Sequence, residues 1–322
     1  MGEPAGIGGE IALAAWLGRQ AAAVPPFFVI DDADRLCSLA GRLALPVPIR
    51  HIGQPGEAAA CFDGALPVLH RPLPMAVEAG RPTAATAKAV VEAIELATRL
   101  AQAGQAGGVV TNPIHKKTLY DAGFAFPGHT EFLAQLAGVP RVVMMLAAPE
   151  LKVVPVTIHL ALAAAIRMLS VDEIVATGRI TAQALRRDFG IARPRLAVAG
   201  LNPHAGEDGT MGREDLDIVA PAVAILQGEG IEVSGPRPAD TMFHPRARAG
   251  YDAALCMYHD QALIPIKTID FDGGVNVTLG LPFIRTSPDH GTAFDLAGSG
   301  RARPDSLIAA LKMAADMAAR RG

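Results

Sequence analysis

Residues 196–204 read LAVAGLNPH, an apolar run that ends in a turn and a histidine. Two other segments have the same form: VVPVTIH at residues 153–159 and ALCMYH at residues 254–259. Short apolar runs of this kind are typical of strands that are buried on both faces of a largely parallel sheet. The three segments therefore predict buried strands, each followed by polar residues at its carboxyl end.

Ala-rich helical stretches alternate with such strand-like runs along the rest of the chain, and this alternation predicts an α/β fold. The strand candidates are Phe27–Ile30, Gly108–Thr111, Val142–Leu146, Val153–Thr157, Arg195–Gly200, Ala253–Met257 and Val275–Thr278. The helix candidates are Ala84–Ala103, Val171–Phe189, Glu214–Gly228 and Asp305–Arg320. Ligands of open α/β sheets bind at the edge where strands end, which is where the polar motifs of this chain gather.

The composition is that of a globular protein with a small-molecule partner. The chain has 322 residues, of which 50% are hydrophobic and 19% charged, enough for one large or two medium domains. A formal net charge of −3 gives no basic surface for nucleic acid or anionic lipid. The three cysteines form no CxxC pair, and the apolar stretch 11–30 is interrupted by Arg19 and the Pro25–Pro26 pair. A cytoplasmic protein without a signal peptide or membrane span is expected.

The histidines that follow the three quoted runs are candidate metal ligands: His159, His204 and His259. Three imidazoles at one edge of a sheet would leave open positions on a divalent ion, as catalytic metal sites do. Each could instead be a hydrogen-bonded histidine at a strand end. Acidic or amide neighbours could orient two of them or could be turn and cap residues: Asp260, Asn202 and Glu207.

A second set is cationic and lies among apolar residues: Lys116, Lys267 and Arg285. A cation between strand-forming residues is justified by an anionic ligand, such as a phosphorylated or carboxylated substrate. Asn276, in GGVNVTLG, would direct a neutral donor to the same place. Lys267 alone could extend its amine to solvent.

The segment GHTEF places His129 and Thr130 ahead of an apolar helical run. Hydroxyl and backbone N–H groups at a helix N-terminus can hold an anion. A simple capping role for Thr130 is the alternative.

The segment DHGTAFDLAG, residues 289–298, is the candidate dinucleotide loop because the chain has no GxGxxG fingerprint. Asp295 could accept both ribose hydroxyls of NAD, whereas NADP would favour a cation there. His290 lies in the same loop and is assigned to the cofactor with it. The alternative is that Asp295 merely leads a helix.

These motifs, in this order, closely resemble the 4-hydroxythreonine-4-phosphate dehydrogenase family, from GEPAGIGGEI to the C-terminal helix. The resemblance rests on GHTEF, GLNPHAGE, MYHDQ, VNVTLGLPFIRTS and DHGTAFD. It implies an isocitrate/isopropylmalate dehydrogenase-like fold of two α/β domains, with the active site in a cleft between them at a homodimer interface. The expected first domain is 1–128 plus 290–322, and the second is 129–289.

The resemblance also implies residue roles. The metal would be held by His159, His204 and His259, and the substrate by His129, Thr130, Lys267, Asn276 and Arg285. Asp240, in PADT, and Lys116 are assigned to the catalytic set. The implied cofactors are NAD or NADP and one divalent ion, either Zn, Mg, Mn or Co. The implied reaction oxidises and decarboxylates 4-phosphooxy-L-threonine to 3-amino-2-oxopropyl phosphate in vitamin B6 synthesis.

Alternatives remain. A sister dehydrogenase could act on 4-phospho-threonate, 4-phospho-erythronate or an aromatic cis-dihydrodiol carboxylate. A metal-dependent phosphatase or hydrolase would use the histidines to activate water, and a sugar-phosphate binding protein would need no metal. One departure from the family concerns the GEPAGIG turn, which a β-strand usually precedes. The expected sheet is therefore incomplete near Met1.

Overall fold

The computed structural model describes residues 1–321, and the chain divides into two compact units. Unit 1 comprises Met1–Pro140 and Leu281–Ala319, and unit 2 comprises Arg141–Gly280 with the C-terminal residues from Arg320. Helices alternate with mostly parallel strands in each unit, so the predicted α/β class is confirmed. Within residues 1–321, no helix combines the length and apolar character needed to cross a bilayer.

Unit 1 contains two groups of parallel strands. Its strands are β1 (Val29–Asp31), β2 (Ile49–Ile52), β3 (Leu66–His70), β4 (Val109–Val110) and β11 (Arg285–Pro288). Its helices are α1 (Gly8–Leu17), α2 (Ala33–Arg42), α3 (Ala58–Cys61), α4 (Ala87–Gln102), α5 (Lys116–Asp121), α6 (His129–Ala137) and α12 (Asp305–Arg321). The strand order is β1-β3-β2, and β4 pairs with β11.

Helix α1 forms the centre of the unit 1 core. Its sequence GGEIALAAWL is apolar apart from Glu10, and eight of its ten residues are buried. The Trp16 indole donates a hydrogen bond to the Phe62 carbonyl at 2.8 Å, which satisfies the polar atom of a buried ring. Helix α2 begins at an Asp32 cap, whose carboxylate accepts bonds from the N–H groups of Asp34 and Arg35.

A cavity of about 500 Å³ lies in unit 1. Its lining includes Met1, the main chain of β1 and the residues of β4. The Met1 amine reaches the Ile30 carbonyl at 2.6 Å, and burial lowers the pKa of that amine.

Unit 2 contains one mixed sheet with the order β10-β5-β6-β9-β7-β8. The strands are β5 (Val143–Ala148), β6 (Leu151–Pro155), β7 (Arg195–Ala199), β8 (Glu232–Arg237), β9 (Ala253–Cys256) and β10 (Val275–Leu279). The helices are α7 (Leu162–Met168), α8 (Val171–Arg187), α9 (Ala220–Gly228), α10 (Pro245–Arg248) and α11 (His259–Ile269). Strands β6, β9, β7 and β8 are parallel, whereas β10, β5 and β6 pair antiparallel.

The centre of this sheet follows directly from its sequence. The side chains of β7 and β9 are almost fully buried, because helices can cover both faces of a parallel strand. Every strand and helix candidate from the sequence lies on an observed element, with ends that differ by a few residues. The sequence missed β2, β3, β8 and β11, as well as the antiparallel pairing of β10, β5 and β6.

The division into units differs from the predicted boundaries at residues 128 and 289. Helix α6 belongs to unit 1 because the ring of Phe132 packs edge-on against Phe124, with 5.0 Å between ring centroids. Strand β11 belongs there because Arg285 and Thr286 pair with β4. Residues 129–140 and 281–289 therefore lie in unit 1.

Candidate active site

The three predicted metal ligands follow three neighbouring strands of unit 2. His159 comes after β6, His259 comes after β9, and His204 comes after β7. Strands β6, β9 and β7 are adjacent and parallel, so their carboxyl ends lie at one edge of the sheet. The fold therefore brings the three imidazole-bearing loops to the same edge, and their role as metal ligands stays a prediction.

His159 and His259 are close together. Their ring centroids are 5.8 Å apart with an interplanar angle of 41°. The Nδ1 atom of His259 lies 2.7 Å from a carboxylate oxygen of Asp260, which orients the ring and leaves Nε2 as the second nitrogen. Asp260 thus contacts His259, one of the two histidines that it could orient.

His204 lies in a turn with unusual backbone geometry. Five consecutive residues from His204 to Asp208 have positive φ, with φ of 54° at His204 itself. Left-handed backbone costs about 1–2 kcal/mol for each residue with a side chain. His159 also has positive φ, at 52°. Backbone strain of this kind concentrates at functional sites, where the surrounding structure holds it.

The donor atoms of the three histidines are not all within 4.8 Å of one another. Within residues 1–321, the one group that meets that distance is Asp32, Asp34 and His70 in unit 1. That group is a helix cap. The Asp32 carboxylate accepts three backbone N–H bonds. Burial alone would raise the pKa of this carboxyl, but the hydrogen bonds outweigh burial, so the pKa lies below its usual value. His70 Nδ1 accepts a bond from Ala33 N at 3.1 Å, so its acceptor nitrogen is already used.

The donor set of unit 2 fits a divalent ion better. Three imidazole-bearing loops reach one sheet edge, and two of the histidines, His159 and His204, have positive φ. The spacing of the rings of His159 and His259 is of the order that two imidazoles on one ion adopt, given metal–nitrogen bonds of about 2 Å.

The other predicted unit 2 residues occupy separate elements. Lys267 lies in α11, with its amine 5.5 Å from the centre of the Phe271 ring. Asn276 is half-buried on β10, paired with Leu146 of β5. Asp240 is exposed in a single 3-10 turn, Ala239–Thr241, between β8 and α10.

A cationic set lies in unit 1. Arg285, on β11, is buried, and its guanidinium donates to the Thr111 hydroxyl at 2.7 Å. Burial lowers the pKa of Arg285 to about 10, which the Glu131 carboxylate partly opposes. The guanidinium still carries its charge at neutral pH. A buried cation of this kind is costly unless an anion approaches it.

His129 and Lys116 belong to the same set. His129 is the first residue of α6, and its buried Nε2 has no hydrogen-bond partner. Burial, followed by the charges of Arg285, the N-terminal amine and Lys116, holds the pKa of His129 well below its usual value. A Cβ built on Gly128, the residue before α6, would lie 3.9 Å from Lys116 Nζ. Thr130 is half-buried in the first turn of α6. These residues together could hold a phosphate or carboxylate at the helix N-terminus.

We expect His129→Gln to weaken the acid sensitivity of folding. The native state keeps His129 neutral, whereas the unfolded chain binds a proton below pH about 6.5. Stability is therefore fully present above pH about 6.5 and falls as the pH drops below it, by up to about 1.4 kcal/mol per pH unit for this group. Urea unfolding at pH 7.5, 6.5 and 5.5 measures the slope.

The matched control is His51→Gln, at an exposed histidine of β2. It should keep the wild-type slope. Equal slopes for both variants and the wild-type protein would contradict the assignment of this proton to His129.

The predicted cofactor residues lie in a loop of unit 1. His290 has a buried Nε2 without a hydrogen-bond partner, and its Nδ1 lies 3.0 Å from the Gly291 carbonyl. Asp295 is exposed in the turns that follow. An orphaned buried nitrogen and a free-standing carboxylate are a donor set that suits a nucleotide with sugar hydroxyls.

Two features of this loop were not predicted. The Ile7 N–H donates to the Thr292 carbonyl at 3.1 Å, so the GEPAGIGGEI turn supports the loop. The buried carboxylate of Glu10 accepts bonds from Gly298 N and Ala302 N. The GEPAGIGGEI segment, with which the family resemblance begins, is thus a structural support for the loop, and Glu10 is its contributing carboxylate.

Comparisons with known proteins agree on one family. The family described as "Pyridoxal phosphate biosynthetic protein PdxA" matches residues 23–314. A 4-hydroxythreonine-4-phosphate dehydrogenase from Caulobacter vibrioides (strain ATCC 19089 / CIP 103742 / CB 15) is 56% identical over 327 residues, which covers 100% of this chain and 97% of the relative.

Two solved structures are similar over nearly the whole chain. A 4-hydroxythreonine-4-phosphate dehydrogenase from Klebsiella pneumoniae superposes with a TM-score of 0.90 at 40% identity, covering 99% of this chain and 98% of that one. A terephthalate 1,2-cis-dihydrodiol dehydrogenase from Burkholderia xenovorans LB400 has a TM-score of 0.66 at 30% identity, covering 98% and 95%.

Proposed function

The chain belongs to the 4-hydroxythreonine-4-phosphate dehydrogenase family of pyridoxal phosphate biosynthesis, and we propose the groups with which it performs that reaction. The reaction oxidises C3 of 4-phosphooxy-L-threonine and releases the carboxylate as CO2, giving 3-amino-2-oxopropyl phosphate. A dehydrogenase uses a nicotinamide cofactor, and we propose NAD, with one divalent ion of the Zn, Mg, Mn or Co type.

The observation that carries the proposal is the arrival of His159, His204 and His259 at one edge of three adjacent parallel strands. Bound there, a divalent ion would supply positive charge where the substrate oxygen becomes negative, and the nicotinamide would supply the hydride acceptor. Neutral imidazoles leave the charge of such an ion uncompensated. Asp260 would keep the His259 ring in position through its 2.7 Å contact.

The cationic set of unit 1 would bind an anionic group of the substrate. Arg285 offers a buried guanidinium, Lys116 offers an amine beside the start of α6, and Thr130 offers a hydroxyl at the same helix N-terminus. His129 would bind as the neutral imidazole, because its pKa is held well below its usual value. Charge-assisted bonds from buried donors are strong, so this set would fix the orientation of the substrate.

The remaining assignments rest on resemblance together with position. Lys267 and Asn276 would contact the substrate from unit 2, and Asp240 with Lys116 would serve proton transfer. His290 and Asp295 would bind the cofactor. The exposed Asp295 carboxylate favours the 2′-hydroxyl of NAD over the 2′-phosphate of NADP by charge.

A homodimer is part of the proposal. Four large apolar side chains are exposed on α7 and just before it: Leu160, Leu162, Ile166 and Met168. A contiguous exposed apolar patch is typical of a surface that another protein covers. Light scattering should then report twice the 33.4 kDa chain mass, and a monomer at micromolar concentration would contradict the dimer. The free cysteines Cys37, Cys61 and Cys256 fit the proposed cytoplasmic setting.

The test is the appearance of reduced nicotinamide when the purified, metal-supplemented protein meets 4-phosphooxy-L-threonine and NAD. Turnover with this substrate supports the proposal. Turnover only with 4-phospho-threonate, 4-phospho-erythronate or an aromatic cis-dihydrodiol carboxylate would show that the protein has a sister dehydrogenase activity instead. Release of inorganic phosphate without NAD would favour a phosphatase instead.

A further inference from the structure

The main chain of Met257, the residue that follows β9, is bonded by side chains at both its N–H and its carbonyl. Met257 N–H donates to Gln261 Oε1 at 2.7 Å, and the Met257 carbonyl accepts from the Thr157 hydroxyl at 2.8 Å. We propose that Gln261 is a positioning residue that sets the spacing of the three histidine loops. This inference rests on the metal site proposed above.

Gln261 joins the ends of two neighbouring strands. Its Oε1 accepts from Met257, just after β9, and its Nε2 donates to the Gly200 carbonyl, just after β7, at 2.7 Å. A side-chain amide has a donor and an acceptor on one rigid group, so it can bridge two main-chain groups at a fixed separation. His259 lies two residues after Met257, and His204 lies four residues after Gly200.

Thr157 adds the third strand to this connection. Its buried hydroxyl links the end of β6 to Met257, and His159 lies two residues further along. The hydrogen bonds from Thr157 through Met257 and Gln261 to Gly200 therefore join all three loops that carry the histidines. None of these side chains needs to touch the ion to influence where the imidazoles lie.

The His204 loop is held from its other side by Asp215. This carboxylate is 1% exposed and accepts bonds from Leu201 N at 2.7 Å and Asn202 N at 3.0 Å. A Cβ on Gly200 would lie 2.8 Å from the Cα of Ala205, so the loop packs tightly against its own strand end. Gln261 and Asp215 therefore both form hydrogen bonds with the main chain between β7 and the left-handed turn.

Helix geometry makes Gln261 a rigid anchor. It lies in the first turn of α11, which begins at His259, so the ligand and its positioning residue share one helix. Residues that orient metal ligands typically change metal affinity by about 10–100-fold when they are replaced. Loss of Gln261 should act in that range, because it would release the His204 loop without removing an imidazole.

The experiment compares Gln261→Met with a matched control, Gln227→Met. Gln227 also donates its side-chain amide to a main-chain carbonyl, that of Val233 at 2.9 Å, but lies away from the histidine loops. Zinc affinity is measured by chelator competition, the visible spectrum of the cobalt-loaded protein reports ligand geometry, and thermal unfolding of the metal-free protein reports folding. Thr157→Val, which removes the hydroxyl without changing shape, is the second variant.

We expect Gln261→Met to weaken zinc binding about 10–100-fold and to alter the cobalt spectrum, while Gln227→Met changes neither. Thr157→Val should weaken zinc binding in the same direction by a smaller factor. Wild-type zinc affinity and cobalt spectrum in both Gln261→Met and Thr157→Val would overturn the positioning role alone. A wild-type protein that binds neither ion would overturn the metal site and this inference together.

Discussion

Replacing His204 by asparagine should lower kcat by at least about a thousandfold and weaken zinc binding by at least about a hundredfold. Asparagine accepts left-handed backbone more readily than other residues with a side chain, so the turn with φ of 54° at this position is preserved. The change removes one of the three imidazoles and little else, because the His204 side chain is exposed. Activity assays with added zinc, together with chelator competition, measure both effects.

Folding should survive this change. Exposed substitutions usually alter the free energy of unfolding by less than about 0.5 kcal/mol, so the metal-free variant should unfold like the metal-free wild type. Asp208→Asn is the matched control, since Asp208 is exposed and has φ of 55° in the same turn. It should keep wild-type activity. A His204→Asn enzyme with more than a tenth of wild-type kcat would refute the metal-ligand assignment.

Replacing Arg285 by methionine should separate activity from stability. Loss of a buried charged donor to the substrate should lower kcat/KM by about 100–1000-fold. Burial of the guanidinium carries a desolvation cost, which also lowers its pKa to about 10. An apolar side chain of similar length avoids this cost, so the free variant should be as stable as the wild type or up to about 2 kcal/mol more stable. Steady-state kinetics and urea unfolding measure the two quantities.

Inorganic phosphate supplies the decisive comparison for Arg285. If the cationic set binds phosphate, a concentration of 100 times Kd should stabilise the wild-type protein by about 2.7 kcal/mol, whereas Arg285→Met should gain almost nothing. Arg50→Met, at an exposed arginine of β2, should respond like the wild type. Equal stabilisation of the wild type and Arg285→Met by phosphate would show that Arg285 does not contribute to an anion site.

The central strands were predictable because a strand that is buried on both faces has a continuous apolar sequence. Leu196–Ala199 and Ala253–Cys256 are buried along their whole length, and the sequence identified both. Strand β11 was missed because its sequence, RTSP, is polar, and its pairing with β4 depends on residues far away in the chain. Strand β8 was also missed because its sequence, EVSGPR, is not a continuous apolar run and includes Gly235 and Pro236.

The candidate site was predictable in its residue types and less so in its supports. Histidines at the ends of apolar runs were visible, whereas the left-handed turn of 204–208 has no local signal, since only one residue of the five is glycine. Gln261 stood in the quoted MYHDQ motif, yet its bond to Gly200 spans 61 residues. The contact between Arg285 and Thr111 joins positions that are 174 residues apart in the chain. Such pairs follow from the tertiary fold rather than from spacing.

The discontinuous course of unit 1 has a consequence for the order of events on the ribosome. Strand β4 is made early, but its partner β11 and the helix α12 lie near the end of the chain. Unit 2 is encoded almost entirely by the uninterrupted stretch 141–280, so its sheet can assemble while unit 1 still waits for its last strand. During that interval the residues of α1 and α4 that the complete unit buries lack part of their packing partners, and such transiently exposed apolar surface favours aggregation.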